Sequence, residues 1–150
     1  MRIVLQRVSQ ASVTIKGNKT SEIGPGLVIL LGIESSDDQN DIDWLIRKII
    51  NMRIFDDEGG KMNLSLRDKS GEALVVSQFT LHASTKKGNR PSFIKAAPPE
   101  ISKPLYQSFC ETFSRELGRP LERGIFGAMM EVSLINDGPV TIVIDSRDRE

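Results

Sequence analysis

The sequence contains few cysteine, histidine and aromatic residues. The shortage of cysteine and histidine excludes several classes of protein and site. The chain of 150 residues has one cysteine, one histidine and 5% aromatic residues. One cysteine cannot form a disulfide framework and fits a reducing compartment. No cluster of histidine and cysteine has the spacing of a zinc site. A single histidine leaves little scope for a nucleophilic triad, because a triad needs a base.

An excess of charge and a long hydrophobic run are also missing. Lysine plus arginine number 20 and aspartate plus glutamate 20, so any interaction with nucleic acid or a membrane must be local. No apolar run approaches the ~18 residues that span a membrane, and the apolar run near Met1 is too short for a signal peptide. We therefore expect one cytoplasmic domain over residues 1–150, with no membrane partner and with a charged, frayed tail from about residue 145.

Hydrophobic periodicity predicts an α+β fold, in which a curved, mostly antiparallel sheet or barrel-like core is covered by two main helices. Short apolar runs predict strands over residues 2–8, 11–15, 20–23, 27–33, 53–55, 73–76, 129–135 and 140–144. Apolar side chains at helical spacing predict helices over residues 37–51 and from Pro98 to Leu117. The most apolar strand, residues 27–33, should lie at the centre of the sheet.

Capping and turn residues give the expected boundaries of these elements. Ser36 and Gln39 have the spacing of a capping box and should start the first helix. Gly118 should end the second helix, and Pro104 should either kink that helix or mark its true first turn. Taken alone, residues 136–139 (Asn-Asp-Gly-Pro) predict a hairpin turn between the last two strands.

The segment of residues 71–93 combines a buried strand with a polar end. Residues 73–76 form an apolar run that is typical of a strand buried on both faces. Polar residues follow where more apolar ones are expected, in the order Ser77, Gln78, Phe79 and Thr80. Buried polar groups are costly unless they have partners. Either the strand emerges into solvent, or its end lines a site built from backbone N–H groups and short polar side chains.

The chain then becomes basic. No acidic residue interrupts residues 73–99, which contain four basic residues: Lys86, Lys87, Arg90 and Lys95. Such a loop is either plainly solvated or a local contact for phosphate groups.

The only histidine, His82, lies two residues beyond Thr80, so on a continuing strand both side chains would point to the same face. A nucleophile–base pair of Thr80 and His82 is conceivable, but we favour a solvated surface histidine beside a basic loop. No motif for nucleotide phosphates or dinucleotides occurs, and the acidic turn at residues 56–60 does not match a calcium loop. We therefore predict neither a metal nor a cofactor.

Two motifs together resemble those of the D-aminoacyl-tRNA deacylases, the D-tyrosyl-tRNA deacylase family. The motifs are Ser77-Gln78-Phe79-Thr80-Leu81 and Asn136-Asp137-Gly138-Pro139-Val140-Thr141. Shorter segments carry the same resemblance at residues 1–8, 24–26, 53–55, 61–66 and 90–93. The resemblance extends from Met1 to about Ile144, and its paired motifs are specific. His82 and residues 86–89 are positions where the family is not expected to agree.

The resemblance implies a homodimer with active sites at the subunit interface, which hydrolyses the ester between a D-amino acid and the 3′-terminal adenosine of tRNA. It implies that the strand end, with Ser77, Gln78, Phe79 and Thr80, forms the pocket floor. It also implies that Gly138-Pro139 is a cis pair inserted from the partner subunit to exclude L-amino acids, and that Arg7 holds this loop. Phe126 or Phe93 could stack on the terminal adenine.

Ester hydrolysis is compatible with these residues. Backbone N–H groups of Gln78, Phe79 and Thr80 can form an oxyanion site, and a water molecule can attack if the ribose 2′-OH relays the proton. Lys86, Lys87 and Arg90 could contact phosphates at the acceptor end of tRNA. One alternative makes Thr80 a covalent nucleophile. Another is a non-catalytic nucleic-acid-binding module, which the neutral net charge counts against.

Overall fold

The computed structural model describes residues 1–149, which form eight strands and two helices. The strands are β1 (Arg2–Ile15), β2 (Asn18–Ile23), β3 (Gly26–Gly32), β4 (Phe55–Asp56), β5 (Met62–Leu64), β6 (Glu72–Ser77), β7 (Glu122–Arg123) and β8 (Glu131–Asp145). The helices are α1 (Gln39–Asn51) and α2 (Pro99–Leu117), and a 3₁₀ turn covers Phe79–His82.

Six strands form one sheet in the order β2-β1-β3-β6-β7, with β8 also paired to β1. β1 is antiparallel to β2, β3 and β8, whereas β6 is parallel to both β3 and β7. β3 lies between β1 and β6, and its apolar side chains are almost all buried, as predicted for the central strand. A mostly antiparallel, nearly closed sheet with two helices confirms the predicted α+β fold.

The sheet contributes to two hydrophobic clusters. Alternate residues of β1 and β3, such as Ile3, Leu5 and Ile29, pack with both helices in the larger cluster. A smaller cluster joins β1, β2, β3 and β6 through Val8, Ala11, Val13, Ile23, Val28, Leu74 and Val76. β6 contributes to both clusters, so the predicted burial of residues 73–76 on two faces is confirmed.

β1 and β8 are longer than the sequence pattern predicts. β1 joins the first two predicted strands, and β8 joins the last two. The two strands are antiparallel neighbours from the Arg2–Asp145 pair to the Thr14–Glu131 pair. The predicted hairpin turn at residues 136–139 is therefore wrong. Because β1 pairs with β8 on both sides of this segment, the segment forms a bulge inside one strand.

The first helix begins two residues later than the sequence pattern predicts, at a local capping box. α1 begins at Gln39 because the Asp38 carboxylate accepts hydrogen bonds from the backbone N–H groups of Asn40 and Asp41, at 2.8 and 3.3 Å. The predicted capping box that starts at Ser36 is therefore wrong by two residues.

α2 begins at Pro99 and continues through Pro104, which is therefore not in its first turn. Gly118 ends the helix in the left-handed conformation, with φ 74°, as predicted. Within residues 1–149, neither helix is long and apolar enough to cross a membrane.

The predicted frayed tail is wrong for the residues that the structure describes. Ser146 is buried, and the Arg147 guanidinium lies 3.2 Å from the Asp37 carboxylate. Arg149 lies over an aromatic ring of α1, 4.5 Å from its centre. These contacts attach the C-terminal segment to α1 and the residues before it. Glu150 lies outside the described residues.

Candidate active site

The polar strand end becomes a 3₁₀ turn rather than a longer strand. β6 ends at Ser77, and the N–H of Gln78 donates to the carbonyl of Leu31 at 2.8 Å. The predicted oxyanion site therefore loses the Gln78 donor, because that N–H is already used by the sheet. The N–H groups of Phe79 and Thr80 open the 3₁₀ turn, and neither has an acceptor among residues 1–149. Two backbone donors thus remain available at this strand end.

Among residues 1–149, the side chain that hydrogen-bonds to the Thr80 hydroxyl is not a general base. The Gln78 side-chain amide donates a hydrogen bond to the Thr80 hydroxyl oxygen. An amide N–H cannot remove the hydroxyl proton. His82 is 2% exposed and buried at the end of the turn, so the predicted solvated histidine is wrong. The expected placement of Thr80 and His82 on one face of a strand is also wrong. Both residues lie in a 3₁₀ turn, where side chains two residues apart do not point to the same face.

The aromatic residues lie at the same end of the sheet as the turn. Phe79 is 57% exposed, and its ring meets Phe93 edge-to-face with centroids 5.1 Å apart. Phe126 follows β7, which runs parallel beside β6, and its half-buried ring lies 5.7 Å from that of Tyr106. The structure therefore brings Phe79 and Phe93 together and places Phe126 against the core.

The basic loop starts immediately after the 3₁₀ turn. Its base is closed by a pair of hydrogen bonds between Ser84 and Ser92, at 2.8 and 2.9 Å. Lys86, Lys87 and Arg90 are all exposed in the segment between these serines. The cationic side chains are thus attached to the turn that carries the two backbone donors.

Arg7 is the buried anchor of the second motif. Arg7 is only 4% exposed. Its Nε donates to the carbonyl of Asp137 at 3.0 Å, and its Nη1 donates to the carbonyl of Ile54 at 2.7 Å. The carboxylates of Asp137 and Asp56 lie 3.4 and 3.5 Å from the same guanidinium. A planar group with five donors can hold two backbone segments at once. Arg7 therefore joins the bulge of β8 to the end of the α1–β4 connection.

The bulge itself requires glycine at position 138. Gly138 has φ 122°, and a Cβ atom there would lie 2.6 Å from Nη2 of Arg7. The Gly138-Pro139 peptide bond is cis, and both residues are exposed. The Asn136 side chain closes the bulge by accepting from the N–H of Val140 at 2.8 Å. The motif is thus an ordered, solvent-facing projection.

Within one chain the two motifs lie far apart. Arg7 holds Asp137, whereas Nη1 of Arg2 donates to the carbonyl of Leu81 at 3.0 Å, beside the other motif. These arginines are five residues apart on β1, which is about 17 Å along an extended strand. The structure therefore does not bring Gly138 to the strand end of its own chain. Sequence analysis missed the role of Arg2, although an arginine at the start of an apolar strand was the available signal.

The single cysteine is a core residue. Cys110 lies on α2, and burial is the main cause that raises the pKa of its thiol to about 11. The thiolate is the nucleophilic form, so this thiol is unreactive at neutral pH. Among residues 1–149, no group of three or more histidine, cysteine, aspartate or glutamate side chains is placed to hold a metal ion.

Comparison with known proteins identifies the family of the chain. The family model described as D-Tyr-tRNA(Tyr) deacylase matches residues 4–145. The chain is 65% identical to the D-aminoacyl-tRNA deacylase of Bacteroides thetaiotaomicron and 60% identical to that of Flavobacterium johnsoniae, with 100% of each chain covered.

Two solved structures have the same fold. The c-Myc DNA Unwinding Element Binding Protein superimposes with a TM-score of 0.90 at 45% identity, covering 97% of this chain and 98% of that chain. A probable eukaryotic D-amino acid tRNA deacylase superimposes with a TM-score of 0.81 over 95% of this chain and 97% of that chain. At 18% identity the second likeness shows the fold alone. The chain therefore belongs to the D-Tyr-tRNA(Tyr) deacylase family, as its two motifs predicted.

Proposed function

We propose that this protein is a D-aminoacyl-tRNA deacylase, which hydrolyses the ester between a D-amino acid and the 3′-terminal adenosine of tRNA. The observation that carries the proposal is the full-length identity of 65% to a protein of that name. The site supports the same chemistry, because two backbone N–H groups without acceptors among residues 1–149 lie at the end of a buried strand.

In the proposed mechanism, the N–H groups of Phe79 and Thr80 bind the carbonyl oxygen of the ester. A water molecule attacks the carbonyl carbon, and these donors stabilise the negative charge that develops on the oxygen. The substrate's 2′-OH accepts the proton of the water and passes a proton to the departing 3′-oxygen. The products are the free D-amino acid and tRNA. This route needs no protein base, in agreement with the burial of His82.

The proposed enzyme is a homodimer whose active sites combine residues of two subunits. Gly138-Pro139 projects into solvent and lies far from the strand end of its own chain, so only a second chain can bring the two motifs together. β8 supports this arrangement, because among the described residues its only strand partner is β1. Ile135 and Val143 on this strand are 53% and 65% exposed. A long edge strand with exposed apolar side chains is usually covered by a partner.

The covalent alternative has less support. A Thr80 nucleophile needs a base, and its hydroxyl oxygen instead accepts from the Gln78 amide. The non-catalytic alternative is favoured by one observation, the 45% identity to a protein named for binding a DNA unwinding element. Multiple turnovers of aminoacyl-tRNA per protein chain would exclude pure binding.

Deacylation of matched D- and L-tyrosyl-tRNA tests the proposed function directly. We expect the purified protein to release many equivalents of D-tyrosine and to leave L-tyrosyl-tRNA intact over the same period. The physical reason is that the Gly138-Pro139 projection of the proposed partner subunit would occupy the space that the side chain of an L-amino acid needs. Stoichiometric binding without release, or equal cleavage of both esters, would contradict the proposal.

Lys86 and Lys87 are proposed to contact tRNA phosphates, since both are exposed beside the proposed oxyanion turn. We expect the Lys86→Gln/Lys87→Gln variant to raise KM for D-tyrosyl-tRNA and to change kcat little. The slope of log affinity against log salt should become shallower by about 0.7 to 0.9 for each phosphate that the variant no longer neutralises. The matched control is Lys61→Gln/Lys69→Gln, two exposed lysines outside the loop. If both double variants gave the same salt slope, Lys86 and Lys87 would not contact tRNA phosphates.

A further inference from the structure

His82 is buried without the hydrogen bonds that a buried imidazole normally makes. Its residue is 2% exposed, and neither ring nitrogen has a hydrogen-bond partner among residues 1–149. Nδ1 lies 3.0 Å from Oε1 of Glu34, which is close enough for an ion pair. At this distance the pair still does not meet the geometry of a hydrogen bond, so the ring lies beside a carboxylate without being bonded to it. Buried polar groups in this condition are rare and call for an explanation.

The imidazole also fills a specific space between the 3₁₀ turn and β3. A Cβ atom at Gly32 would lie 3.0 Å from both Cδ2 and Nε2 of His82, and 3.0 Å from Cβ of Leu81. A residue larger than glycine would therefore require the His82 and Leu81 side chains to shift. Gly32 therefore leaves space for the His82 ring to pack against the end of β3.

Glu34 connects this ring to the far end of the basic segment. Its backbone forms an isolated antiparallel bridge with Ala96, and the N–H of Ala97 donates to the carbonyl of Ile33 at 2.9 Å. The segment between His82 and Ala96 contains the basic loop. The His82–Glu34 contact thus lies where both ends of this segment meet the proposed oxyanion turn.

We propose that His82 is a positioning residue for deacylation, which aligns with Glu34 when the acceptor end of tRNA binds the basic loop and thereby fixes the N–H groups of Phe79 and Thr80. This inference rests on the proposed function. Hydrogen bonds that are bent in a free enzyme can straighten in the substrate complex. We assign His82 a positioning rather than a catalytic role because this residue is buried at 2% exposure, whereas Phe79 in the same turn is 57% exposed.

The test measures kcat and KM for D-tyrosyl-tRNA in His82→Ala, Glu34→Ala and the double variant. We expect each single change to lower kcat by about 10- to 100-fold, since small misplacements of catalytic groups cost that much, and to change KM less than about threefold. The double variant should be no slower than the single variants, because both remove the same contact. His82→Gln, which retains a side-chain donor, should recover most of kcat.

A matched control separates positioning from loss of stability. Phe113→Leu opens a buried position on α2 and should lower the unfolding midpoint without lowering kcat. The inference is overturned if folded His82→Ala keeps wild-type kcat, or if the losses of the two single variants multiply. If His82→Ala does not fold, the half-exposed partner decides, and an unchanged kcat in Glu34→Ala overturns the inference. Failure of the wild-type protein to cleave D-tyrosyl-tRNA would instead refute the proposed function.

Discussion

Replacing Thr80 with proline should lower the deacylation rate by about 10²- to 10³-fold, the usual cost of losing one oxyanion donor. Proline removes the N–H, and this N–H has no acceptor among residues 1–149. The first turn of a helix tolerates proline for the same reason. Thr80→Ala keeps the N–H and removes only the hydroxyl, so it should retain a substantial part of the activity. Single-turnover rates of cleavage of D-tyrosyl-tRNA measure both effects.

The paired variants distinguish a backbone donor from a side-chain nucleophile. Unfolding midpoints and tRNA affinities close to those of the wild type would show that Thr80→Pro is folded and binds. A folded Thr80→Ala variant with almost no activity, or an acyl group trapped on Thr80, would contradict the backbone mechanism. Equal activity of the proline and alanine variants would exclude this N–H from the oxyanion site.

Gly138→Ala should weaken the discrimination between D- and L-alanyl-tRNA by about 100-fold or more. The new Cβ would lie 2.6 Å from Nη2 of the buried Arg7, and φ 122° is unfavourable for alanine, so the bulge must move. A rigid backbone can reject an L side chain strongly, whereas one methylene of hydrophobic contact contributes only ~1–3 kcal/mol. The measurement is the ratio of kcat/KM for the two esters. Ser133→Ala is the control, an exposed residue of the same strand.

Dimers that combine two variant chains test whether the Gly138-Pro139 bulge acts on the active site of its own chain or on that of the partner. In the proposed dimer, each site takes Gly138-Pro139 from its partner. An excess of Thr80→Pro chains should therefore supply intact bulges to the remaining active Gly138→Ala sites and restore the preference for the D-ester. If the bulge acted on its own chain, the added chains would leave the preference unchanged.

The proposed exclusion of the L side chain also predicts the behaviour of the wild-type protein toward glycyl-tRNA. Glycine has no Cβ, so a filter that acts on Cβ cannot reject it, and glycyl-tRNA should be cleaved alongside D-alanyl-tRNA. L-Alanyl-tRNA, one methyl group larger, should resist. Refusal of glycyl-tRNA under identical conditions would mean that the site selects D side chains by positive contact.

Local sequence patterns were sufficient for the main helices and strands and for the family. The apolar run of β3 predicted its central place, and Gly118 predicted the end of α2. Both depend on residues that are neighbours along the chain, where propensity and burial agree. The two motifs were also readable, because short stretches with specific polar residues interrupt otherwise apolar strands.

Tertiary structure decided the features that depend on distant partners. His82 looked solvated from its basic neighbours, but Gly32 on another strand leaves room for its ring in the core. Residues 136–139 looked like a hairpin turn, but β1 is long enough to pair with β8 on both sides of them.

The same reason explains which of the predicted oxyanion donors remain available. Nothing near Gln78 shows that its N–H bonds to Leu31, because the two residues meet only when β6 pairs with β3. Sequence alone determined both helices, the main apolar strands and the two motifs. Folding determined which polar groups remain available for chemistry, because hydrogen bonds between distant residues use the others.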